Sequence, residues 1–415
     1  MIQRPRGTLD ILPENAVKRV FVENKIREIF TNFNYQEIRT PSFEMTSLFK
    51  RSIGEETDVV SKEMYSFNND KYTLKPEMTA PVIRAYIENS LFSQSPINKL
   101  FYIAKMYRHE NPQAGRYREF TQFGAEAIGS SDFTIDAEMI SLSVRILNEF
   151  GIKDIVTKIN TIGTIEERKE YIAKLKDYLN KYYKDLSSDS KRRLETNPLR
   201  ILDSKLDFEI DILNGAPVLF DFLNETSKEH FNKVLEALTG FGIKCEVDYK
   251  LVRGFDYYTS TTFEVISNDL GAQNAVLGGG RYDTLVEQLG GNPTPAIGFA
   301  SGVERLMMLL EKLDYKFPEP LKLKLYIVTI GEEAKKFAAK KLFELRKKNI
   351  KCDTDYLNRS VKAQMREANK LNSEYTLVLG ENEIKSGQAQ LKKMIDGEII
   401  NVALDNIENL IVEKI

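Results

Sequence analysis

The stretch MYRHENPQAGRYREFTQFGAEAIG, residues 106–129, decides how this chain is read. Two strand-like runs flank a polar loop rich in arginine. On the outgoing run, LFYIAKMYRHE, Tyr102, Ala104, Met106 and Arg108 share parity; on the return run Phe120, Gln122 and Glu126 do. Each set therefore points to one side of its strand. If the two sets face the same way, one face of a sheet carries a cation, an aromatic plane, an amide and a carboxylate. That face suits a nucleotide and a small polar molecule, with arginine on phosphate, the ring on a base, and Gln and Glu on hydrogen-bonding groups. The register that decides this is not written in the sequence, and composition alone favours a hairpin with a solvated polar face.

Working outward, 415 residues at 42% hydrophobic and 29% charged can bury a large core and predict two to four domains. The net charge of -2 excludes a uniformly basic nucleic-acid binder. Two cysteines, Cys245 and Cys352, and two histidines, His109 and His230, are too few for a disulfide framework or a Cys/His zinc site. No protein-built metal site is expected, and Cys/His catalysis is disfavoured. The opening MIQRPRGTLDILPE has no apolar signal core, and no run of about 18 apolar residues is present. A cytoplasmic protein with no membrane partner is the expectation.

Apolar spacing predicts a helix from Glu14 with Val22, Ile26, Ile29 and Phe33 on one face. YQEIRTPSFE (35–44) and KEMYSFNNDKYTLKPE (62–77) read as strands, the second turning at 68–70. Residues 1–163 thus form a first part of a sheet-and-helix core. From 164 to 244 the chain becomes charged and helical, as in IEERKEYIAKLKDYLNKYY, and reads as an insertion. Strand and glycine signals resume over 245–317 and end in a helix whose predicted buried stripe is Val303, Leu306, Leu310 and Leu313. DYKFPEPLK (314–322) breaks the pattern with two prolines, giving a linker at 318–321. Strands and helices alternate from 322 to 415, a small α/β domain with 18 basic against 14 acidic residues, a surplus usual for solvated helix faces.

LVRGFDYYTSTTFEV (251–265) raises a separate question. Arg253 and Asp256 would each cost about several kcal/mol if buried alone, so either the stretch is at the surface or these groups meet a ligand. The glycines of GGGRYDTLVEQLGG and PAIGFASGVERL mark turns or close approaches, and Gly302 opens a helix that carries Arg305 toward the same sheet. Neither a P-loop nor a dinucleotide-binding fingerprint is present.

YRHENPQAGR followed by RYREFTQFGAEAIG resembles motif 2 of the class II aminoacyl-tRNA synthetases, and IGFASGVERL resembles their motif 3. YQEIRTPSFE, with Pro41, is similar to their dimer-forming motif 1. PRGTLDILP, KPEMTA, NPLRILDSK and above all LVRGFDYYTSTTFE resemble the histidyl-tRNA synthetases in particular, in the family's order along essentially the whole chain. The resemblance implies an α+β fold: a class II antiparallel sheet core with helices, a helical insertion, and an α/β anticodon-binding domain over 322–415. It implies a homodimer acting on L-histidine, ATP and tRNA(His), with Mg²⁺ accompanying ATP.

Roles follow position by position from the resemblance. Arg108 and Arg305 match the arginines that grip the α- and γ-phosphates, and Arg253 matches the family's own arginine beside the α-phosphate. These three are the expected catalytic residues. Glu110, Arg116 and Phe120 would position ATP with Arg108 and Arg305. Glu77, Met78 and Thr79 would hold the histidine backbone, and Gln122, Glu126, Tyr257, Tyr258 and Tyr282 its pocket. Gln113, in the motif 2 loop, would meet tRNA. Lys75, Met78 and Asn111 stand where the family often has other residues, which bears on the substrate loop and on reading the tRNA's 5′ nucleotide. A non-charging regulatory relative, or a tRNA-sensing module, would be expected to lack the C-terminal domain or to carry degraded motifs.

Overall fold

A computed structural model describes residues 1–54, 57–112, 115–270, 275–319 and 322–413. The chain divides into two compact units, Met1–Phe317 and Pro318–Ile415.

The strands of the first unit are β1 Gln36–Glu37, β2 Phe43–Met45, β3 Tyr65–Phe67, β4 Tyr72–Leu74, β5 Asn98–Tyr107, β6 Glu119–Ile128, β7 Ile155–Thr161, β8 Cys245–Val247, β9 Thr259–Ser267, β10 Ala275–Arg281 and β11 Ala296–Gly302. Among the described residues eight of them form one sheet in the order β1-β5-β6-β11-β10-β9-β7-β8. Only β1–β5 and β7–β8 pair in parallel, so the sheet is predominantly antiparallel. The hairpin at 68–70 turns through left-handed Asn68, Asn69 and Asp70, but it belongs to a separate three-stranded sheet, β2-β4-β3. YQEIRTPSFE, read as one strand, is two: β1 joins the large sheet and β2 the small one, and the chain changes sheets at Thr40–Pro41, where proline has no N–H for a ladder.

The helices of this unit are α1 Pro13–Asn32, α2 Thr46–Ile53, α3 Thr79–Glu88, α4 Phe133–Glu149, α5 Ile165–Asn180, α6 Ser188–Thr196, α7 Asp207–Asn214, α8 Glu225–Gly240, α9 Leu285–Gln288 and α10 Val303–Lys312. One core joins α1, α4, α8 and α10 to one face of the large sheet through Val22, Ile26, Phe30, Ile140, Phe231, Val234 and Leu306. In α10 the buried residues are Val303, Leu306, Leu309 and Leu310. Leu313, expected in that stripe, is 40% exposed because the helix ends at Lys312 and the chain turns through left-handed Asp314. Tyr315 and Phe317 then fold back onto this core, with ring centroids 5.9 Å from Phe150 and 6.2 Å from Phe21 respectively.

A second core lies on the opposite face and gathers Met78, Val82 and Ile83 with Tyr102, Tyr257, Tyr258 and Tyr282. Helices α5–α7 contribute Tyr171, Leu175, Leu194 and Leu213 to it. α5 begins with a capping box between Thr164 and Glu167. The helical stretch 164–244 is thus shared between two cores, α5–α7 on one face of the sheet and α8 on the other.

The second unit contains β12 Leu325–Thr329, α11 Glu332–Lys347, β13 Cys352–Thr354, α12 Val361–Lys370, β14 Tyr375–Leu379, α13 Glu381–Ser386, β15 Gln388–Lys393, β16 Ile399–Ala403 and α14 Ile407–Glu413. Its sheet order is β13-β12-β14-β15-β16, parallel at β12–β14 and antiparallel in the hairpin β15–β16. That hairpin is weakly marked in the sequence, since Ala389 and Leu391 are its inward apolar positions on β15 and glutamine and lysine alternate with them.

Candidate active site

The pairing of β5 with β6 sets Tyr102 opposite Gly124, Ala104 opposite Gln122, and Met106 opposite Phe120. Directly opposed residues share a face, so both halves of the opening stretch point the same way. Beyond them lies a cavity of about 470 Å³, a size that accommodates a small molecule.

At one end the cavity is cationic. Arg108 donates from Nε to the Pro76 carbonyl at 2.8 Å, and its guanidinium lies 5.4 Å from the Phe120 ring centroid and 5.7 Å from that of Phe255. Glu110 stands between two cations, 3.9 Å from Arg108 and 3.7 Å from Arg116. Arg305, on α10, lines the same end, and burial, with Arg116 nearby, depresses its pKa. Arg253 pairs with Glu264 of β9 above Gly278 of β10. A Cβ at Gly278 would come within 2.7 Å of the guanidinium carbon, so the glycine is what lets Arg253 lie over the sheet. Arg253 therefore has an internal carboxylate partner. Asp256 is exposed and accepts from Asn197 at 2.8 Å.

The other end is enclosed. Glu126 is 1% exposed, accepts from Thr79 Oγ1 at 2.8 Å and from the Tyr282 hydroxyl, and lies 3.4 Å from the Tyr102 hydroxyl. Burial pushes its carboxyl up to about 8 against these hydrogen bonds. Space for it comes from Gly298, where a Cβ would fall 1.6 Å from Oε2. Tyr257 packs between Tyr258 and Tyr282, with ring centroids at 4.7 and 5.7 Å. The buried Glu77 accepts from the backbone N–H groups of Thr79 at 2.6 Å and Ala80 at 2.9 Å, capping α3, while burial raises its pKa.

Of the residues expected from the sequence, Arg108, Glu110, Arg116, Phe120, Arg253 and Arg305 all line the cavity. So do Glu77, Met78, Thr79, Gln122, Tyr257, Tyr258 and Tyr282. Glu126 lies beneath the wall rather than in it, behind Thr79, Tyr102 and Tyr282. Gln113 lies outside the described residues. Lys75 points away, bonding the Thr40 carbonyl and hydroxyl, both at 3.3 Å. His109 is exposed, its ring edge-on to Tyr65.

Sequence reasoning missed Glu264, whose spacing along β9 puts it on Arg253's side, and Arg200 and Asp203, carried to the cavity mouth by the helical turn at Pro198–Ile201. Among the described residues, two buried polar atoms in the lining have no hydrogen-bond partner: Gln122 Oε1, an acceptor, and Arg253 Nε, a donor. Among the described residues no group of three or more His, Cys, Asp or Glu side chains is placed to hold a metal, and no helix is long and apolar enough to cross a membrane.

Residues 7–306 match the family model for histidyl-tRNA synthetase, and residues 324–414 match the anticodon binding domain. A histidine–tRNA ligase of Halothermothrix orenii is 46% identical, with 98% of each chain covered, and that of Clostridioides difficile is 46% identical over 100% of each. The crystal structure of apo S. aureus histidyl-tRNA synthetase superposes with a TM-score of 0.84 at 38% identity, covering 99% of this chain and 100% of that one. With its antiparallel sheet, its C-terminal domain and these full-length matches, the chain belongs to the histidyl-tRNA synthetase family of aminoacyl-tRNA ligases.

Proposed function

We propose that the cavity over the large sheet is where this ligase joins L-histidine to the adenylyl group of ATP, releasing diphosphate, and then passes histidine to the 3′ end of tRNA(His). The observation that carries the assignment is one cavity with a cationic mouth at one end and, at the other, the Thr79, Tyr102 and Tyr282 hydroxyls backed by the buried Glu126 carboxyl. Free imidazole has a pKa near 6.5 and is mostly neutral at pH 7, so it needs one donor and one acceptor. Glu126 with the Tyr282 and Tyr102 hydroxyls offers both. A pocket that hydrogen-bonds its substrate rejects analogues lacking those groups by roughly 10⁴-fold.

In the first step a carboxylate oxygen of histidine attacks the α-phosphorus and the bond to the β-phosphate oxygen breaks. Negative charge gathers on the α-phosphate, and Arg108 and Arg253 stand as its fixed counter-charges, with Arg305 toward the γ-phosphate. Phe120, already stacked by Arg108, supplies the plane for adenine, and Glu110 and Arg116 orient the nucleotide. Glu77 and Thr79, with Met78 behind them, receive the α-amino end, while Gln122 directs its free acceptor at the substrate. In the second step a hydroxyl of the terminal ribose attacks the histidyl carbonyl and AMP leaves. No side-chain nucleophile is needed in either step.

The cavity carboxylates fit Mg²⁺ brought in on the triphosphate better than a resident metal, because magnesium is commonly held by one or two carboxylates plus substrate phosphates. Glu264 and Glu110 would hold it. When bound it neutralises phosphate charge. We place the enzyme in the cytoplasm as a homodimer. The ring cluster of Phe43, Phe67 and Tyr72 supports an apolar contact there, since Phe43 and Phe67 are 50% and 42% exposed. We assign 164–244 as an insertion, 322–415 as the domain that reads the anticodon, and the Gln113 loop as a tRNA contact.

Exchange of labelled diphosphate into ATP tests the reading. It is expected with histidine alone, and exchange driven by threonine, proline or glycine overturns it. A chain ending at Phe317, shown dimeric by sedimentation, should retain exchange while charging of tRNA(His) falls steeply; charging at the full chain's level would refute the assignment of the second unit.

A further inference from the structure

On the face of β10 opposite the cavity, Arg281 is 1% exposed. Its Nε donates to Asp136 Oδ2 at 3.0 Å, Nη1 to the Ser130 carbonyl at 3.0 Å and to Asp283 Oδ1 at 3.1 Å, and Nη2 to the Asp132 carbonyl at 3.2 Å. Nη2 also lies 2.6 Å from Asp136 Oδ1. Asp136, on α4, is fully buried and its Oδ2 further accepts from Thr261 at 2.7 Å and meets His230 of α8 at 3.0 Å. Such a buried pair is weak evidence for stability, because well-packed apolar residues of similar volume often do as well or better. Its geometry has a different use.

The ladder between β9 and β10 breaks at this point. Gly280 pairs with Thr262 but Arg281 pairs with Thr259, so Ser260 and Thr261 bulge out, with Ser260 in the left-handed region. Backbone pairing with β9 is thus irregular just where β10 delivers Tyr282, and bulges of this kind re-aim side chains next to active sites. Side chains take over the fixing. Thr261, the bulged residue, is caught by Asp136; the Asp283 N–H donates to Thr259 Oγ1 at 3.1 Å; and Asp283 Oδ1 accepts from the Ala296 N–H at 3.1 Å. Every one of these bonds lies within two residues of Tyr258 or Tyr282, or anchors their strands to α4.

We propose that Arg281 and Asp136 are positioning residues for histidine recognition: from behind the sheet they lock the bulge so that Tyr282 holds Glu126 and the tyrosine box keeps its shape. The proposal rests on the assignment of the Glu126 end of the cavity to the histidine side chain.

Histidine-dependent diphosphate exchange by the unmodified full chain comes first, and its absence would overturn that assignment and not the positioning role. Given exchange, Asp136→Asn is compared with the unmodified chain for the KM of histidine, the KM of ATP and kcat. A side chain displaced by a fraction of an ångström in the box should raise the histidine KM about tenfold while the ATP KM moves less than about twofold. A loosened fold would move both constants and lower the urea midpoint together. An unchanged histidine KM, or equal rises in both KM values, overturns the proposal. If Asp136→Asn does not fold, Asp283→Asn decides, because Asp283 is 33% exposed and touches the same guanidinium. There a rise of about threefold in the histidine KM alone is expected, and no rise refutes the role.

Discussion

At the deep end of the cavity Glu126 is 1% exposed and surrounded by three hydroxyls, whereas at the mouth Arg253 and Arg116 keep 21% and 44% of their side chains accessible. Both ends rest on a glycine, but in different senses. Gly298 makes room for a carboxyl enclosed on every side, and Gly278 makes room for a guanidinium at the far end of a longer, partly exposed side chain. The deep end is therefore built to refuse wrong shapes. On the proposed reading the mouth exchanges partners: Glu264 and Glu110, which pair with Arg253 and Arg108, would give way to phosphate oxygens. Preorganised charge of this kind acts without reorganisation at the moment of reaction.

The sharpest way to break the contrast is Arg253→Ala. If its charge acts mainly in the transition state, the adenylation rate should fall by roughly 10²–10³ with far smaller changes in histidine and ATP affinity, read by single-turnover kinetics. A normal rate with weakened histidine binding would make Arg253 a substrate clamp and erase the difference between the two ends.

Gly298→Ala probes the rigid end. The new methyl would meet both Glu126 and, at 2.7 Å, the Ala125 carbonyl, so neither side can yield. Overpacking typically costs about 1–3 kcal/mol, and histidine affinity measured by calorimetry should drop about ten- to a hundredfold. Gly278→Ala is the matched control: the far end of Arg253 can give way, so the loss in rate should stay below about tenfold and the urea midpoint should hold. Equal damage from the two substitutions would show that the mouth is as rigid as the floor.

A smaller effect concerns pH. Glu126 sits at about 8 in the folded, ligand-free protein against 4.5 as reference, so between those values the folded state binds more protons than the unfolded one. Its stabilising contribution is full below about 4.5 and fades as pH rises through about 8. Glu126→Gln should flatten the fall of the urea midpoint over that window. Parallel curves for the two proteins would mean that the carboxyl is already ionised in its box.

Part of the mouth was legible in the chain because it is local: Arg108, just past β5, and Phe120, on β6, are joined by one loop, and parity placed each on one side of its own run, while the β5–β6 register set the two sides together. The deep end was not legible in the same way. Glu126 becomes a buried acid only because β11 places Gly298 beneath it and the end of β10 brings Tyr282 across it, two pairings with long sequence separation. His230 falls within 164–244, read as a helical insertion, yet α8 carries it to Asp136, since the helix buries its apolar stripe on the back of the sheet. The charged, helical character of 164–244 marked helices there and could not say which face of which sheet each would cover. Leu313 failed for a local reason, a helix that stopped one residue early.

The sheet order has a consequence for synthesis. β6 is a central strand whose neighbours are β5, made just before it, and β11, with Ile128 partnered by Ala296. While the ribosome makes everything between them, the β11-facing edge of β6 has no native mate, and at about 5–20 residues per second that wait lasts on the order of 10–30 s. An unpaired strand edge is a template for pairing with other nascent chains. The stretch Gly124-Ala125-Glu126-Ala127 offers such an edge few large apolar side chains, which limits what a stray strand could gain by adding to it before β11 emerges.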